Sequence, residues 1–493
     1  MRAYQFLCGF LNRGRLSRVG MRGLDNHGAE EGTPVRDRAM RIFLGLALVA
    51  AWFPICRPYL RVADDFHFAW WLMTGGIRLY FQEDGVWRIL GHELAHAATV
   101  AHPLLPGVLA IATHCVAAML LLAVLRRLLA SESLALLLAA IFAVFPWADE
   151  VLMWASAYSY LLGTTFFLVV LCLLLGVFRL KRGVAVPLCV LCAALSLFGH
   201  EALFFALLVS GGVVFVREEG KGGMGRMMMA GAPAMGCGVW MVLYRTFPGR
   251  MPAEHVVLNL RTLLSGIYYQ YTALEIFEPW MRSGTRELLF FGWSGWQFAG
   301  GAMLVWAVGL SARWALALPG AEGTAKKNNG MLIFLAVLVV AMVAIYAVGG
   351  GFSLDSRKKY PIVPVMLMCL GYGIERFAPR VRIHGGAILA VVLCGIATTW
   401  LQIGLWRYEA VRLDLLTDFL RTQKDPGSVR VEWDGRVQAA WPRSTRHWGT
   451  PVEQWVLTDA VRLKGALAPP VAYAGPVAAV KFDGERFAWV PGG

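Results

Sequence analysis

Charge is what this sequence has least of. Asp, Glu, Lys and Arg make up 16% of its 493 residues, against about 25% in soluble domains. Hydrophobic residues fill 58%, where about 45–50% is usual, and mean hydropathy is +0.56. So few charges cannot cover so much apolar surface in water. That excludes a soluble enzyme and a disordered tail, and predicts a polytopic helical membrane protein. Cysteine supplies no staples. Most of the nine sit inside apolar runs and none falls in 395–493, so no disulfide framework is implied. Cys189 and Cys192 form a C-x-x-C within an apolar helix, a setting for packing rather than redox chemistry. Acids are almost absent from the middles of the apolar runs, unlike the proton relays of transporters. There is no internal repeat.

What is present is length of apolar run. Segments near 42–56, 103–125, 134–147, 155–178, 184–199, 202–216, 228–247, 292–312, 331–349, 361–378 and 387–405 are eleven candidate spans. The net charge of +14 is no sign of a nucleic-acid partner, because the basic residues follow the topology. Residues 1–41, 126–133, 179–183, 217–227, 313–330 and 376–386 alternate with the other connections and hold 22 of the 46 Lys and Arg. Positive loops stay in the cytoplasm, which predicts the N-terminus inside and the C-terminus outside.

Three segments depart from the span pattern. Residues 57–102 and 248–291 are too polar to cross and rich in aromatics, which suits outer-face loops with interfacial helices. Residues 406–493 form a polar tail, opening with a helical pattern from Trp406 to Thr422. The tail continues with two Asp-Gly hairpin signals, in Val429–Val437 and Val480–Phe487. The expected organisation is a basic cytoplasmic segment (1–41), a membrane domain (42–405) and a small outer α/β appendage (406–493).

The sharpest motif is His92-Glu93-Leu-Ala-His96, the H-E-x-x-H of zinc peptidases. His102 falls where a third ligand is expected in one such group. The helix geometry opposes it: Thr99 stands where that pattern needs a Gly, and a helix running on to residue 102 points His102 about 80° to 120° away from the other two. A membrane zinc peptidase therefore stays an alternative, with zinc not expected. A metal held for another purpose by His67, His92 or His96 with a carboxylate is a further one. A transporter or flippase-like scaffold without catalysis is the third.

The outer connections concentrate carboxylates. After the first span comes Arg61-Val-Ala-Asp64-Asp65-Phe66-His67-Phe68. Asp84-Gly-Val-Trp87-Arg88 follows, then Phe145-Pro146-Trp-Ala-Asp149-Glu150-Val-Leu-Met-Trp154, Leu197-Phe-Gly-His200-Glu201 and Ser353-Leu-Asp-Ser-Arg357-Lys358-Lys359-Tyr360. In order and sidedness these stretches resemble the GT-C superfamily of membrane glycosyltransferases, in particular protein O-mannosyltransferases and lipid A aminoarabinose transferases. The resemblance covers roughly 40–380. Two positions depart from it: His200 stands where a Lys is usual, and Asp65 replaces Glu in the acidic pair.

The resemblance implies transfer of a sugar from a polyprenyl-phosphate donor to a glycan, lipid or protein acceptor at the outer face of a bacterial inner membrane. It places the catalytic role on Asp64, with Asp65 beside it. That chemistry suits the residues. A carboxylate can take the acceptor proton, and a pair of them offers hard oxygens to Mg²⁺ or Mn²⁺. Arg357, Lys358, Lys359 and Tyr360 stand where a lipid phosphate would lie, with Arg245 a weaker candidate. Glu150, Glu201, His200 and Arg88 are polar candidates for holding sugar or phosphate, and Trp154 and Tyr158, one helical turn apart, could stack on a sugar ring. No motif speaks to sugar identity or oligomeric state.

Overall fold

A computed structural model describes residues 34–57, 89–178, 180–199, 295–317, 329–348, 360–378, 383–422, 430–432, 479–482 and 487–490, with scattered positions between 203 and 239. The helices are α1 (Pro34–Trp52), α2 (Ile89–Ala101), α3 (Leu105–Leu128), α4 (Glu132–Val144), α5 (Asp149–Met153), α6 (Tyr158–Leu174), α7 (Arg182–Gly199), α8 (Gly295–Ala317), α9 (Asn329–Val348), α10 (Val363–Phe377) and α11 (Gly385–Thr422). Val35–Ile55, Leu105–Leu128, Ala155–Leu174 and Gly385–Gly404 are each long and apolar enough to cross a membrane. Glu132–Val144 with Pro146–Met153 is a fifth if the bent pair is one span. These helices make the chain an integral membrane protein. Of the eleven expected spans, 202–216 and 228–247 fall outside the continuously described residues. α7, α8 and α9 hold shorter apolar stretches. The lipid-facing side is visible on two of these: Met303, Trp306 and Leu310 on α8, and Ile333, Val337 and Val340 on α9, are exposed at helical spacing.

One end of the bundle is tied by ions. Arg126 bonds both Asp37 and Glu132, Glu132 also meets Arg36 at 3.1 Å, and Arg41 meets Asp37 at 2.9 Å. Glu375 of α10 accepts from the N–H groups of Ala130 and Ser131, and Arg127 donates to the Leu175 carbonyl. The start of α1, the α3–α4 connection and the ends of α6 and α10 therefore share one level. This is the basic end; α1 and α11 run from it, while α3 and α6 run toward it. Ser131 caps α4 by accepting from Leu134 N–H, with Glu132 in the first turn as the helix dipole favours.

The tail begins on a helix that does not stop at the membrane. α11 spans 38 residues, about 57 Å at 1.5 Å per residue. The expected boundary at 405/406 thus falls inside one element. Beyond it, β2 (Ala479–Phe482) and β3 (Phe487–Val490) form the hairpin expected around Asp483-Gly484, with Phe482 opposite Phe487. Of the hairpin expected over 429–437, only β1 (Arg430–Glu432) is described, and residues 433–437 lie outside the described residues. β1 pairs in parallel with β2, Val431 opposite Val480, so its described partner is distant in sequence. The sheet order is β1-β2-β3, and the other elements among the described residues are helices.

Candidate functional site

The site is built on a broken helix. α4 ends at Val144 because Pro146 has no N–H to continue the ladder. Phe145 turns extended, Pro146–Ala148 forms a 3-10 turn, and α5 restarts at Asp149 with a bend of 48°. A break within an apolar bundle leaves carbonyls without partners, which a membrane protein must satisfy internally. Three helices do so. Trp52 of α1 donates its Nε1 to Ala143 O at 2.8 Å, and His114 of α3 reaches the same oxygen at 3.3 Å. Thr399 of α11 donates to Val144 O at 2.5 Å. Gly395 lies one helical turn earlier on α11, and a Cβ there would stand 2.4 Å from Val144 Cγ2. A side chain at 395 would collide with that of Val144 and crowd the Phe145 ring, so glycine there leaves room for both.

The broken segment turns Asp149 and Glu150 inward at the end opposite the basic network. They are 3% and 2% exposed. Asp149 Oδ2 accepts from Gln402 Nε2 at 2.7 Å and from Trp406 Nε1 at 3.0 Å, while Oδ1 accepts from Glu150 N–H at 2.7 Å. Gln402 and Trp406 are one turn apart on α11, so the last helix presents two donors to one carboxylate. Trp154 is 5% exposed and closes α5. It lines a small apolar cleft with Ala95, Leu109, Val151 and Tyr158. The Tyr158 hydroxyl is hydrogen-bonded to Thr113 at 2.6 Å.

The H-E-x-x-H segment forms α2 and packs beside this cleft. A Cβ on Gly91 would stand 2.4 Å from Ser159 Cα, so α2 rests directly on the start of α6. His96 is buried with Nε2 3.4 Å from Ser156 Oγ. Glu93 is half-buried, and burial raises its pKa above the ordinary carboxylate value. Thr99 donates back to His96 O, continuing the helix, which ends at Ala101. His102 is exposed, and its Nδ1 accepts from Leu104 N–H, capping the turn into α3. It does not turn back toward His96. Among the described residues no three His, Cys, Asp or Glu side chains gather as metal ligands.

Tyr360, expected to face a lipid phosphate, is fully buried, with its hydroxyl 2.8 Å from His114 Nδ1. His114 Nε2 faces a carbonyl and must donate, so Nδ1 accepts the Tyr360 proton. Tyr360 thereby fastens the chain entering α10 to α3. Of the other expected residues, Asp64, Asp65, His67, Arg88, His200, Glu201, Arg357 and Lys358 lie outside the described residues. His92 lies on α2, with its side chain outside them. The sequence reading passed over Gln402, Trp406 and His114 as contributors. Their signal was a polar group or indole in an otherwise apolar run.

Comparison with known proteins gives likeness in structure and none in sequence. No family model matches the chain, and no curated protein matches it. Among solved structures it is similar to ArnT from Cupriavidus metallidurans, crystallised bound to undecaprenyl phosphate. The TM-score is 0.37 and the identity 13%, over 90% of this chain and 92% of that one. ArnT is a GT-C aminoarabinose transferase, one of the enzymes whose motifs the sequence resembles. At that score no residue correspondence follows.

Proposed function

We propose that the protein is an integral-membrane glycosyltransferase that moves a sugar from a polyprenyl-phosphate donor to an acceptor hydroxyl at the outer face of a bacterial inner membrane. The observation that carries the reading is the pair Asp149 and Glu150, both under 4% exposed, at the end of an apolar bundle opposite its basic network. Carboxylates there are costly unless used. The motif they belong to is one of the ordered set that resembles GT-C enzymes. With the basic end in the cytoplasm, the pair lies on the outer side, the side that the charge pattern of the sequence also expects for Asp64 and Asp65.

In this reading Asp64 takes the acceptor proton as the acceptor oxygen bonds to the sugar's anomeric carbon. The bond from that carbon to the donor phosphate breaks, and the phosphate leaves with the electron pair. Arg357, Lys358 and Lys359 steady the leaving charge, with Arg88 and His200 as further donors. Glu150 and Glu201 orient sugar hydroxyls, and Trp154 offers an apolar face. Asp149 acts one step back, by fixing Glu150 through α11. Tyr360 acts by anchoring the cationic segment that precedes it. Asp65 supports Asp64, and the two offer hard oxygens suited to Mg²⁺ or Mn²⁺.

The test is label transfer by the purified protein from a panel of radiolabelled polyprenyl-phosphate sugars to a membrane extract. Wild type is run beside Asp64→Asn and His96→Ala. Transfer lost in the Asp64 variant, with its thermal stability unchanged, is the expected result. Cysteine labelling that placed residues 64 and 357 in the cytoplasm would overturn the reading outright.

A further inference from the structure

The H-E-x-x-H segment has no part in the reaction just described, yet the fold turns one of its histidines inward. α2 meets the start of α6 at two places. Gly91 rests on Ser159, where a Cβ would stand 2.4 Å from the Ser159 Cα. Further along α2, His96 is 3% exposed and its Nε2 lies 3.4 Å from Ser156 Oγ. α7 closes on α6 from its own side: a Cβ on Gly199 would stand 2.5 Å from Gly163 Cα and 3.0 Å from Ser159 O. In the sequence Gly199 directly precedes His200 and Glu201. The two glycines seat α2 and α7 against α6, and His96 reaches the piece of chain just before it.

That piece is short. Ala155–Ala157 is a three-residue 3-10 turn. Trp154 before it is extended, and Tyr158 after it begins α6. The turn's own bond runs from Ala157 N–H to Trp154 O at 2.9 Å. So few bonds do not fix a turn of this length without tertiary contacts. Ser156 is its middle residue and is buried. Trp154 and Tyr158 flank the turn, and both line the apolar cleft with Ala95, the neighbour of His96. A shift of the turn therefore moves two aromatic walls of the cleft together.

We propose that His96 is a positioning residue: by holding Ser156 it sets how Trp154 and Tyr158 meet the sugar of the donor, and so governs donor affinity rather than the rate of transfer. The inference rests on the transfer reading. It gives the buried histidine of the H-E-x-x-H segment a role that needs no metal.

The experiment measures initial rates with the full chain against the concentration of the radiolabelled polyprenyl-phosphate sugar that the wild type transfers. His96→Leu should raise the donor KM about fivefold or more and change kcat less than about twofold, because the ring contact is made alike before and during transfer. A fold that is only weakened leaves fewer active molecules, which lowers kcat at unchanged KM. His96→Gln should bring KM back to within about twofold of wild type, since its amide can donate to or accept from Ser156. Ser156→Ala should match His96→Leu, and the double variant should be no worse than either. A kcat loss at unchanged KM, or His96→Gln as poor as His96→Leu, overturns the proposal. Hydrogen exchange on the same variants without substrate is the second readout. The Ala157 amide should exchange about tenfold faster in His96→Leu, and unchanged exchange there overturns the proposal too. If the wild type transfers no sugar from any donor, the transfer reading fails, and exchange at Ala157 still decides whether His96 holds the turn. Should His96→Leu fail to fold, Ser156→Ala decides, because it removes the same contact from the other side.

Discussion

Asp149→Ala is the sharpest perturbation of the bundle. The carboxylate accepts from Gln402 Nε2, Trp406 Nε1 and Glu150 N–H, and the residue is 3% exposed. Truncation leaves these donors facing an apolar void. Each buried donor deprived of its acceptor costs about 1–3 kcal/mol. Water entering the space of the lost carboxylate can satisfy part of the set, so the lower bound applies, about 3 kcal/mol in all. Asp149→Asn behaves differently. Its carbonyl oxygen can still accept from Gln402 and Trp406, and only the bond to Glu150 N–H is exchanged for a clash of donors. That change should cost about 1 kcal/mol.

The assay is equilibrium unfolding in mixed micelles, followed by tryptophan emission, for wild type, Asp149→Asn, Asp149→Ala and Trp406→Phe. The double variant Asp149→Ala with Trp406→Phe closes a cycle. Removing the indole donor after its acceptor has gone should cost less than removing it alone, by about 1 kcal/mol. If Asp149→Ala and Asp149→Asn were equally stable, or the cycle closed with no coupling, Asp149 would not be the tie between the broken helix and α11. The account of how Glu150 is held would then fall.

Two further outcomes follow from the same network. Tyr360→Phe removes the donor to His114 Nδ1, and should destabilise by about 1–2 kcal/mol; an unchanged unfolding midpoint would show that the chain entering α10 is anchored otherwise. Glu93 titrates with a raised pKa in the fold because it is half-buried. Its contribution is therefore favourable below the ordinary carboxylate value of 4.5 and is lost as pH rises through the raised one. Wild type should lose stability relative to Glu93→Gln across that window, and parallel pH profiles would refute the assignment.

Much of the fold was legible because the bilayer imposes few rules. Long apolar runs gave the places of α1, α3, α6 and α11, and the charge pattern anticipated that Arg36, Arg41, Arg126 and Arg127 would share one end. The structure adds why they hold: Arg36, Arg126 and Arg127 each meet a carboxylate or carbonyl from another segment, and Arg41 meets Asp37 one turn back on its own helix. What was not legible depends on contacts between distant segments. β1 carried a local hairpin signal at Asp434-Gly435, yet its described partner is β2, nearly fifty residues away. Tyr360 sits beside three cations in the sequence and read as a phosphate ligand. Its ring points into the bundle because His114, in a different span, supplies an acceptor there. No local pattern announces such a pairing.

The same reasoning explains why polar side chains lie deep in the spans at all. Trp52, His114 and Thr399 come from α1, α3 and α11, and their polar atoms meet at the carbonyls of Ala143 and Val144. Had α4 continued straight, those carbonyls would have bonded the N–H groups of residues 147 and 148, and none of the three would be needed. The break is what the sequence maintains, at the expense of three polar groups in apolar helices. What it gains is direction. A straight helix would place Asp149 and Glu150 about 8–9 Å further along its own axis, whereas the 48° bend brings them under Gln402 and Trp406. Thr399→Val tests this directly. It keeps the side-chain shape and deletes one donor to the break, leaving Val144 O unpaired. If the bend serves to place the carboxylates, this substitution lowers sugar transfer along with stability, while Thr398→Val, one position away and bonded to Cys394 O in its own helix turn rather than to the break, should leave transfer intact.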